Sequence, residues 1–523
     1  MGTGSLKTIV LLILLSVLAF AAGSMASEGA KQALLPVGIL MGVVTLLCLG
    51  KHCWVCAYAA APILVALGVP AKIPVPHVVG SILLVYWLIM YSLGHVKITW
   101  HKLPILDIAV FVFSAYFLFG WVRNPVTLEL MRNPITDPDK MLVGGVEYVY
   151  CAFAVLFYIY ISIVPMNFQI LGRLLKSLFY ICLIFLVIRT ITGLDDGSMS
   201  AQEPGMEMQL EEEMVGTRFV GFIGLGKVIC NYLVCQYTFI AIVCSPWKLA
   251  MYLAGALGVA LSGFRSYFLE VLLVMFFMQV IYRKVVSLIV LGIFAYGGLL
   301  LLGAVGAIQD LPYGARRVLT AVPGLEVGGK AARGAQGSLD WRYEMWGWAL
   351  DPSTGYIKDY VWGDGYGLDV RKYKLRVVAV QRGTYISTNK DFAADGQWHS
   401  GWLTAIHRTG IVGLCLIFML HVVYITCTVR VAMALRAVPN CGYMYYYIVP
   451  GIAASMMFYI SAGTLWSIFV TYSQFVMTKV LTSLAIKDGL MQPMFQRKVY
   501  VPMMQREIEQ AAAAGQVPAA LRA

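Results

Sequence analysis

Charge is what this chain has least of. Only 13% of its 523 residues are Asp, Glu, Lys or Arg, while 60% are hydrophobic and the mean hydropathy is +0.76. Soluble domains carry roughly 25% charged residues, so a soluble globular enzyme, a disordered chain and a fibrous repeat are all excluded. Alternating strands of ~10 residues are missing too, which excludes a membrane barrel. The net charge of +12 comes without a glycine-rich phosphate loop, zinc-finger spacing or an RNA-binding aromatic motif, so no nucleic-acid partner is expected. The 11 cysteines all sit in or at the ends of apolar runs, never in the two longest polar loops, which excludes an extracytoplasmic disulfide framework. Cys53-x-x-Cys56 has no second pair to complete a zinc site and reads as membrane packing. His-Glu-x-x-His, Gly-x-Ser-x-Gly and Ser-x-x-Lys are absent from any supporting context. There is no internal repeat and no matched pair of Gly/Pro-broken helices, which speaks against a secondary transporter.

Long apolar runs dominate. A bilayer-spanning helix needs ~20 apolar residues, and fourteen runs qualify, near 6–22, 33–50, 53–69, 77–94, 104–122, 143–164, 170–192, 219–243, 246–262, 265–282, 285–308, 401–428, 443–461 and 466–486. Two pairs, 33–69 and 246–282, are weakly separated, so the expectation is 12–14 transmembrane helices. The chain divides into 1–308, transmembrane helices 1–11 with short loops; 309–400, a large extracytoplasmic loop; 401–486, transmembrane helices 12–14; and 487–523, a cytoplasmic tail. The first run has Lys7, an apolar stretch and small residues after it, like a secretory signal; a retained anchor is the expectation.

Lys and Arg in short loops set the orientation. With the N-terminus inside, the cytoplasmic face receives Lys51, Lys97, Lys102, Arg173, Lys176, Lys248, Arg283, Lys284, Arg430 and Arg436, and the tail adds Lys487, Arg497, Lys498 and Arg506. Three loops then lie outside: the polar 123–142, the acidic 193–217, and 309–400, too long for the charge rule and for a mere connector. Within the last, Trp341, Met345 and Trp348 fall at helical spacing, which predicts an amphipathic helix lying over the membrane domain.

Charges at membrane depth are functional suspects. Three runs that descend from the outer face open on Arg218, Arg265 and His399, so these side chains are expected at one depth. Arg189 and Lys227 lie near the same level. Singly, each has a bland reading: an arginine at a helix end snorkels to headgroups, and a histidine caps a loop. Glu270 reads as an ion-pair partner within the bundle, for Lys227 in particular; His407 reads as structural, and His77 has no companion motif. Asp137-Pro-Asp139 spells the Asp-x-Asp of metal-dependent sugar-nucleotide transferases, but Pro138 favours a turn. No metal and no cofactor are expected.

Five blocks follow one another along the chain: Arg218-Phe-Val-Gly221; Ser262-Gly-Phe-Arg265-Ser266; Trp341-Arg342; Gly363-Asp-Gly-Tyr-Gly367; and His399-Ser-Gly-Trp402-Leu403, followed by Gly410-Ile-Val-Gly413. In these blocks the chain resembles the O-antigen ligase/polymerase family of bacterial membrane glycosyltransferases. The resemblance spans about 216–430; the first 200 residues are similar only as apolar helices. Gly263-Phe264 separates Ser262 from Arg265 where the family often has Ser-Arg, Ser400 follows His399 where it usually has Asn, and Gly226-Lys227 stands where it often has Pro-Asn.

The apolar runs and the Lys/Arg bias give an all-α polytopic membrane protein with both termini cytoplasmic; the resemblance implies a glycosyltransferase C superfamily-like fold with a large helical periplasmic loop, in the bacterial inner membrane. It implies transfer of a glycan from undecaprenyl diphosphate to an acceptor hydroxyl. Guanidinium groups bind phosphate bidentately and stay charged, so Arg218 and Arg265 are expected on the leaving diphosphate, with His399 as general base or acceptor orienter. Lys227, Arg342, Ser266 and Trp402 are the expected substrate-binding residues. The partners implied are an undecaprenyl-diphosphate-linked glycan, a glycan-lipid or lipid A-core acceptor, membrane lipid and a chain-length regulator. Polymerisation of O-antigen or exopolysaccharide repeats is favoured, with ligation to lipid A-core as the alternative. A protein-glycosylating transferase would differ in its acceptor alone, and a glycan flippase or proton-coupled transporter would instead use Lys227, Glu270 and Glu147 at mid-membrane.

Overall fold

The computed structural model describes residues 52–58, 75–124, 146–192, 222–366, 398–438, 441–460 and 465–492. Among them the regular structure is entirely helical. The principal helices are α1 (Val75–Ser92), α2 (Pro104–Arg123), α3 (Val146–Ile163), α4 (Phe168–Thr192), α5 (Ile223–Gln236), α6 (Phe239–Val243), α7 (Pro246–Leu261) and α8 (Arg265–Ile281). They continue with α9 (Val285–Ala304), α10 (Tyr313–Leu319), α11 (Gly329–Leu350), α12 (Gly401–Ala434), α13 (Cys441–Ile460), α14 (Trp466–Val470) and α15 (Tyr472–Lys487). Five spans are long and apolar enough to cross a membrane: Pro104–Arg123, Phe168–Ile188, Val285–Ala304, Gly401–Ala434 and Ser467–Lys487. The expected runs 6–22 and 33–50 lie outside the described residues, as does most of 53–69.

The expected run 219–243 is two helices. The chain turns at Tyr237-Thr238, where the Thr238 side chain accepts the Ala241 N–H at 3.4 Å and starts α6. The weakly separated pair 246–282 is two antiparallel helices. Gly263 adopts φ +73° between them, and the Ser262 hydroxyl accepts the Phe264 N–H at 3.2 Å. The amphipathic helix expected around Trp341, Met345 and Trp348 begins at Gly329, twelve residues before Trp341. Three glycines and a serine in its first half lower the intrinsic helix preference there, but Ala331 and Ala335 are buried and their small side chains allow the helix to lie close to the bundle.

Side-chain contacts sort the helix ends into two layers. At one end, Arg123 of α2 bonds the 362–363 backbone, Tyr148 of α3 stacks edge-on to Tyr366, and Gly401 of α12 packs against Phe458 of α13. The turn before α8 lies under α10, where Gly314 meets the Leu261 carbonyl. At the other end, Tyr282 donates to the Cys235 carbonyl at 2.7 Å, Tyr445 to the Ala432 carbonyl at 3.0 Å, and Thr99 N–H to the Ile163 carbonyl at 3.0 Å. That second end is cation-rich. Lys97, Lys102, Arg173, Lys176, Lys248, Arg283, Lys284, Arg430, Arg436 and Lys487 belong to it, against Asp107 and Asp488 among the described residues. The first end, which carries α10 and α11, mixes both signs.

Aromatic rings fill the interior between the layers. Phe113 and Phe117 of α2 pack on Phe469 of α14, and Phe179, Tyr232, Tyr443 and Tyr446 interlock α4, α5 and α13. Bilayer lipid offers no hydrophobic drive for helix association, so close fit carries it. Gly226 and Gly255 supply one such fit: a Cβ on Gly226 would lie 2.5 Å from the Gly255 carbonyl oxygen. Near the cation-rich end, Lys479 is fully buried. It pairs with Asp107 at 2.6 Å and donates to the Ser162 hydroxyl at 2.9 Å, tying α15 to α2 and α3.

A candidate active site beneath α11

Arg265 is the first residue of α8. The Ser262-Gly263-Phe264 turn delivers it to the lidded end, and Gly314 lets α10 settle directly on that turn. The Arg265 guanidinium Nη2 donates to the Ala335 carbonyl of α11 at 3.5 Å, a long contact that leaves most of its donors unspent. Ser266 stands beside it in the first turn, half-buried.

Two turns further along α11, Trp341 meets His399 edge-on with ring centroids 4.7 Å apart. Six residues separate Ala335 from Trp341, about 9 Å of helix at 1.5 Å per residue. Arg265 and His399, far apart in sequence, therefore lie under one helix on one side of the bundle. Arg342, next to Trp341, is close enough to act on the His399 imidazole electrostatically. Burial, reinforced by the Arg342 charge, pulls the His399 pKa down to about 4, so the ring is neutral at physiological pH. His399 itself sits at φ +46°, a left-handed conformation that non-glycine residues seldom adopt. Buried Ser400 follows it as the N-cap of α12. Trp402, in the first turn of α12, packs edge-on against Trp346. Met345 is buried, and Trp341 and Trp348 pack on the same cluster as Trp398 and Leu403, as the helical spacing of the three residues implies.

Lys227 lies one turn into α5 and is paired. Its Nζ sits 2.7 Å from Glu270 Oε2 on α8 and 4.9 Å from the Tyr267 ring. Lys227 is thus held by the carboxylate that the sequence offers it, rather than presented as a bare cation. Arg218 and the Asp137-Pro-Asp139 turn lie outside the described residues, as does Gly367 of the glycine block.

The rest of that block locks the site from the other side. α12 is broken at Gly410, whose φ is +71° and ψ 179°. Residues 360–365 repair the break. Asp364 N–H donates to the His407 carbonyl at 2.7 Å and Gly365 N–H to the Arg408 carbonyl at 3.1 Å. In return, Ile411 and Val412 N–H donate to the Tyr360 and Val361 carbonyls at 2.8 and 3.3 Å. Buried backbone groups must be satisfied, and a helix broken at membrane depth is tolerated where protein covers the break. Glycine is required because Gly363 meets the Gly410 and Thr409 amides directly, at φ +77°.

Two contacts of this lock were not foreseen from sequence, where Asp364 reads as shaping a tight turn and His407 as structural. Arg123, at the end of α2, donates to the Trp362 carbonyl at 2.8 Å and to the Gly363 carbonyl, and so clamps the loop. Asp364 and His407 face each other at 3.4 Å between Oδ2 and Nε2. Burial opposes ionisation of Asp364, but hydrogen bonds from His407 and from the Lys358 and Asp359 amides outweigh it and hold its pKa below the usual carboxylate value. A single wide separation hides each of these contacts from any local motif.

A scan against protein-family models finds no match to the chain, and a search of curated proteins finds none either. Among the described residues no three His, Cys, Asp or Glu side chains gather closely enough to hold a metal ion. The arrangement at hand is a permanent cation, a neutral buried imidazole and a row of indole rings at one end of an apolar bundle. Such a set can hold an anionic group with Arg265, accept a proton at His399, and offer flat aromatic faces to a sugar ring.

Proposed function

We propose that the chain is a multi-pass glycosyltransferase of the bacterial inner membrane, with its lidded end in the periplasm and its cation-rich end in the cytoplasm. It transfers a glycan from undecaprenyl diphosphate to an acceptor hydroxyl. The observation that carries this reading is that α11 touches Arg265 through Ala335 and His399 through Trp341. One amphipathic helix thus spans the distance between a group suited to diphosphate and a group suited to a hydroxyl. The ordered sequence blocks and the segregation of cations to the opposite end support the same reading.

In the reaction, the acceptor oxygen attacks the anomeric carbon and the bond from that carbon to the diphosphate oxygen breaks. The electron pair leaves with undecaprenyl diphosphate, and Arg265, with Arg218 as the second guanidinium, stabilises the growing charge. The hydroxyl proton passes to the neutral His399 imidazole. Direct displacement inverts the anomeric centre. Diphosphate leaves readily, so the mechanism we write uses no metal. Arg342, Ser266 and Trp402 line the approach as substrate-binding residues; Lys227, tied to Glu270, acts by setting the first turns of α5 and α8.

Polymerisation of repeat units is the favoured outcome, with ligation to lipid A-core as the alternative product of the same chemistry. Purified protein given a lipid-diphosphate-linked glycan tests both: longer lipid-linked chains mean a polymerase, and a product on added lipid A-core means a ligase. Movement of the glycan lipid across vesicles without any new glycosidic bond would replace the proposal with a flippase.

A further inference from the structure

His399 sits in a backbone conformation that costs energy and persists only where its surroundings enforce it. On one side is Trp398, whose indole is completely buried. The Trp398 carbonyl accepts the Trp346 indole N–H at 2.9 Å, which fixes the backbone immediately before His399. The Trp398 ring is held separately: its own Nε1–H donates to His407 Nδ1 at 3.1 Å. An imidazole nitrogen that accepts carries no proton, so the His407 proton resides on Nε2. That Nε2 faces Asp364 Oδ2 at 3.4 Å. Asp364 is fixed in turn by the amides of Lys358 and Asp359, at 2.9 and 2.8 Å. A continuous donor–acceptor chain therefore runs from the glycine loop, through the break in α12, to the residue adjoining His399.

We propose that Asp364, His407 and Trp398 are positioning residues that hold the His399 imidazole at the acceptor hydroxyl. This rests on the transfer reaction proposed above and adds three residues to it. None of the three touches substrate; each acts by fixing the next. The loop that mends α12 thereby also aims the base, which explains why a carboxylate stands between two glycines there.

The test separates aim from packing. Trp398→Phe deletes the indole donor together with part of a fully buried ring; His407→Leu deletes the acceptor and leaves the indole whole; His407→Asn returns an acceptor oxygen near the place of Nδ1. In the purified full chain we expect kcat to fall ~10–100-fold in Trp398→Phe and His407→Leu, with KM for donor and acceptor within about twofold of the parent. His407→Asn should recover most of that loss. Carbethoxylation of His399 by diethyl pyrocarbonate, located by mass spectrometry, reads the same aim without any substrate; it should quicken in Trp398→Phe and His407→Leu and return to the parent rate in His407→Asn. An unchanged kcat in Trp398→Phe overturns the inference, as does a loss in KM alone or a loss that Asn does not recover. If the parent protein transfers no glycan, the transfer reading fails by itself. The carbethoxylation rate then decides this inference: a faster rate supports the positioning chain and an equal rate ends it. Should His407→Leu not fold, Trp398→Phe carries the test.

Discussion

Trp341 stands edge-on to His399, ring centroids 4.7 Å apart, and this contact joins α11 to the residue just ahead of the N-cap of a 34-residue helix. Removing the indole should free the imidazole. Trp341→Ala is expected to lower kcat about tenfold or more while Arg265 keeps its hold on the donor, so that donor KM changes little. Steady-state kinetics with a lipid-diphosphate glycan reads both constants.

The acidity of His399 sets a pH expectation. Its folded pKa is about 4, against ~6.5 for a free histidine, because burial and Arg342 disfavour the charged ring. The folded state therefore binds fewer protons than the unfolded chain between about pH 6.5 and about pH 4. Its contribution to stability is complete above pH 6.5 and is lost as pH falls through that window. Activity that depends on the neutral ring should persist to about pH 4 rather than failing near 6.5. Arg342→Gln should move the acid limb upward, though burial, the larger cause, keeps it below 6.5. A pH profile of kcat/KM for both proteins tests this.

Lys479 and Asp107 give a stability prediction far from the site. The lysine is completely buried against Asp107, the Ser162 hydroxyl and the Trp100 ring. Lys479→Met should destabilise the fold by ~3–5 kcal/mol, because an unpaired carboxylate is left behind. The double variant Lys479→Met with Asp107→Asn should recover much of that. Thermal unfolding in detergent measures both.

How much of this was legible beforehand follows from which interactions are local. Helices such as Pro104–Arg123 and Gly401–Ala434 announce themselves as unbroken apolar runs, and their ends fall within a turn or two of the runs. Residues 329–338 did not read as helix, since Gly and Ser there signal a loop and only contact with α8 and α10 makes the small residues useful. That Arg265 and His399 lie at the same end of the bundle was readable from their order along the chain and the side on which their runs open. The Asp364–His407–Trp398 chain was not, because Asp364 lies 43 positions before His407 and no local pattern marks the pair. Lys479 escaped notice for a related reason: one lysine in an apolar run shows no partner until α2 is placed beside it.

The glycine lock is testable through Gly363. A side chain there meets the Thr409 and Gly410 amides, and the backbone sits at φ +77°. Gly363→Ala should cost about 2 kcal/mol or more in stability and loosen the repaired break in α12. Faster hydrogen exchange at Ile411 and Val412, whose amides donate to Tyr360 and Val361, would report the loosening.

Orientation has its own readout. Ser353→Cys, exposed beside α11, should react with a membrane-impermeant maleimide in intact cells. Arg436→Cys should react only after permeabilisation, each in a background lacking Cys244 and Cys415, the exposed thiols among the described residues, and Cys48, which lies outside them. The reverse pattern would place the lidded end in the cytoplasm.

The most direct measurement of the central claim is single-turnover transfer from an undecaprenyl-diphosphate-linked glycan by the parent protein, Arg265→Ala and His399→Ala. With folding confirmed by unchanged thermal unfolding, the account predicts a new glycosidic bond in the parent and rates at least ~100-fold lower in each variant. Equal rates in all three proteins would contradict it.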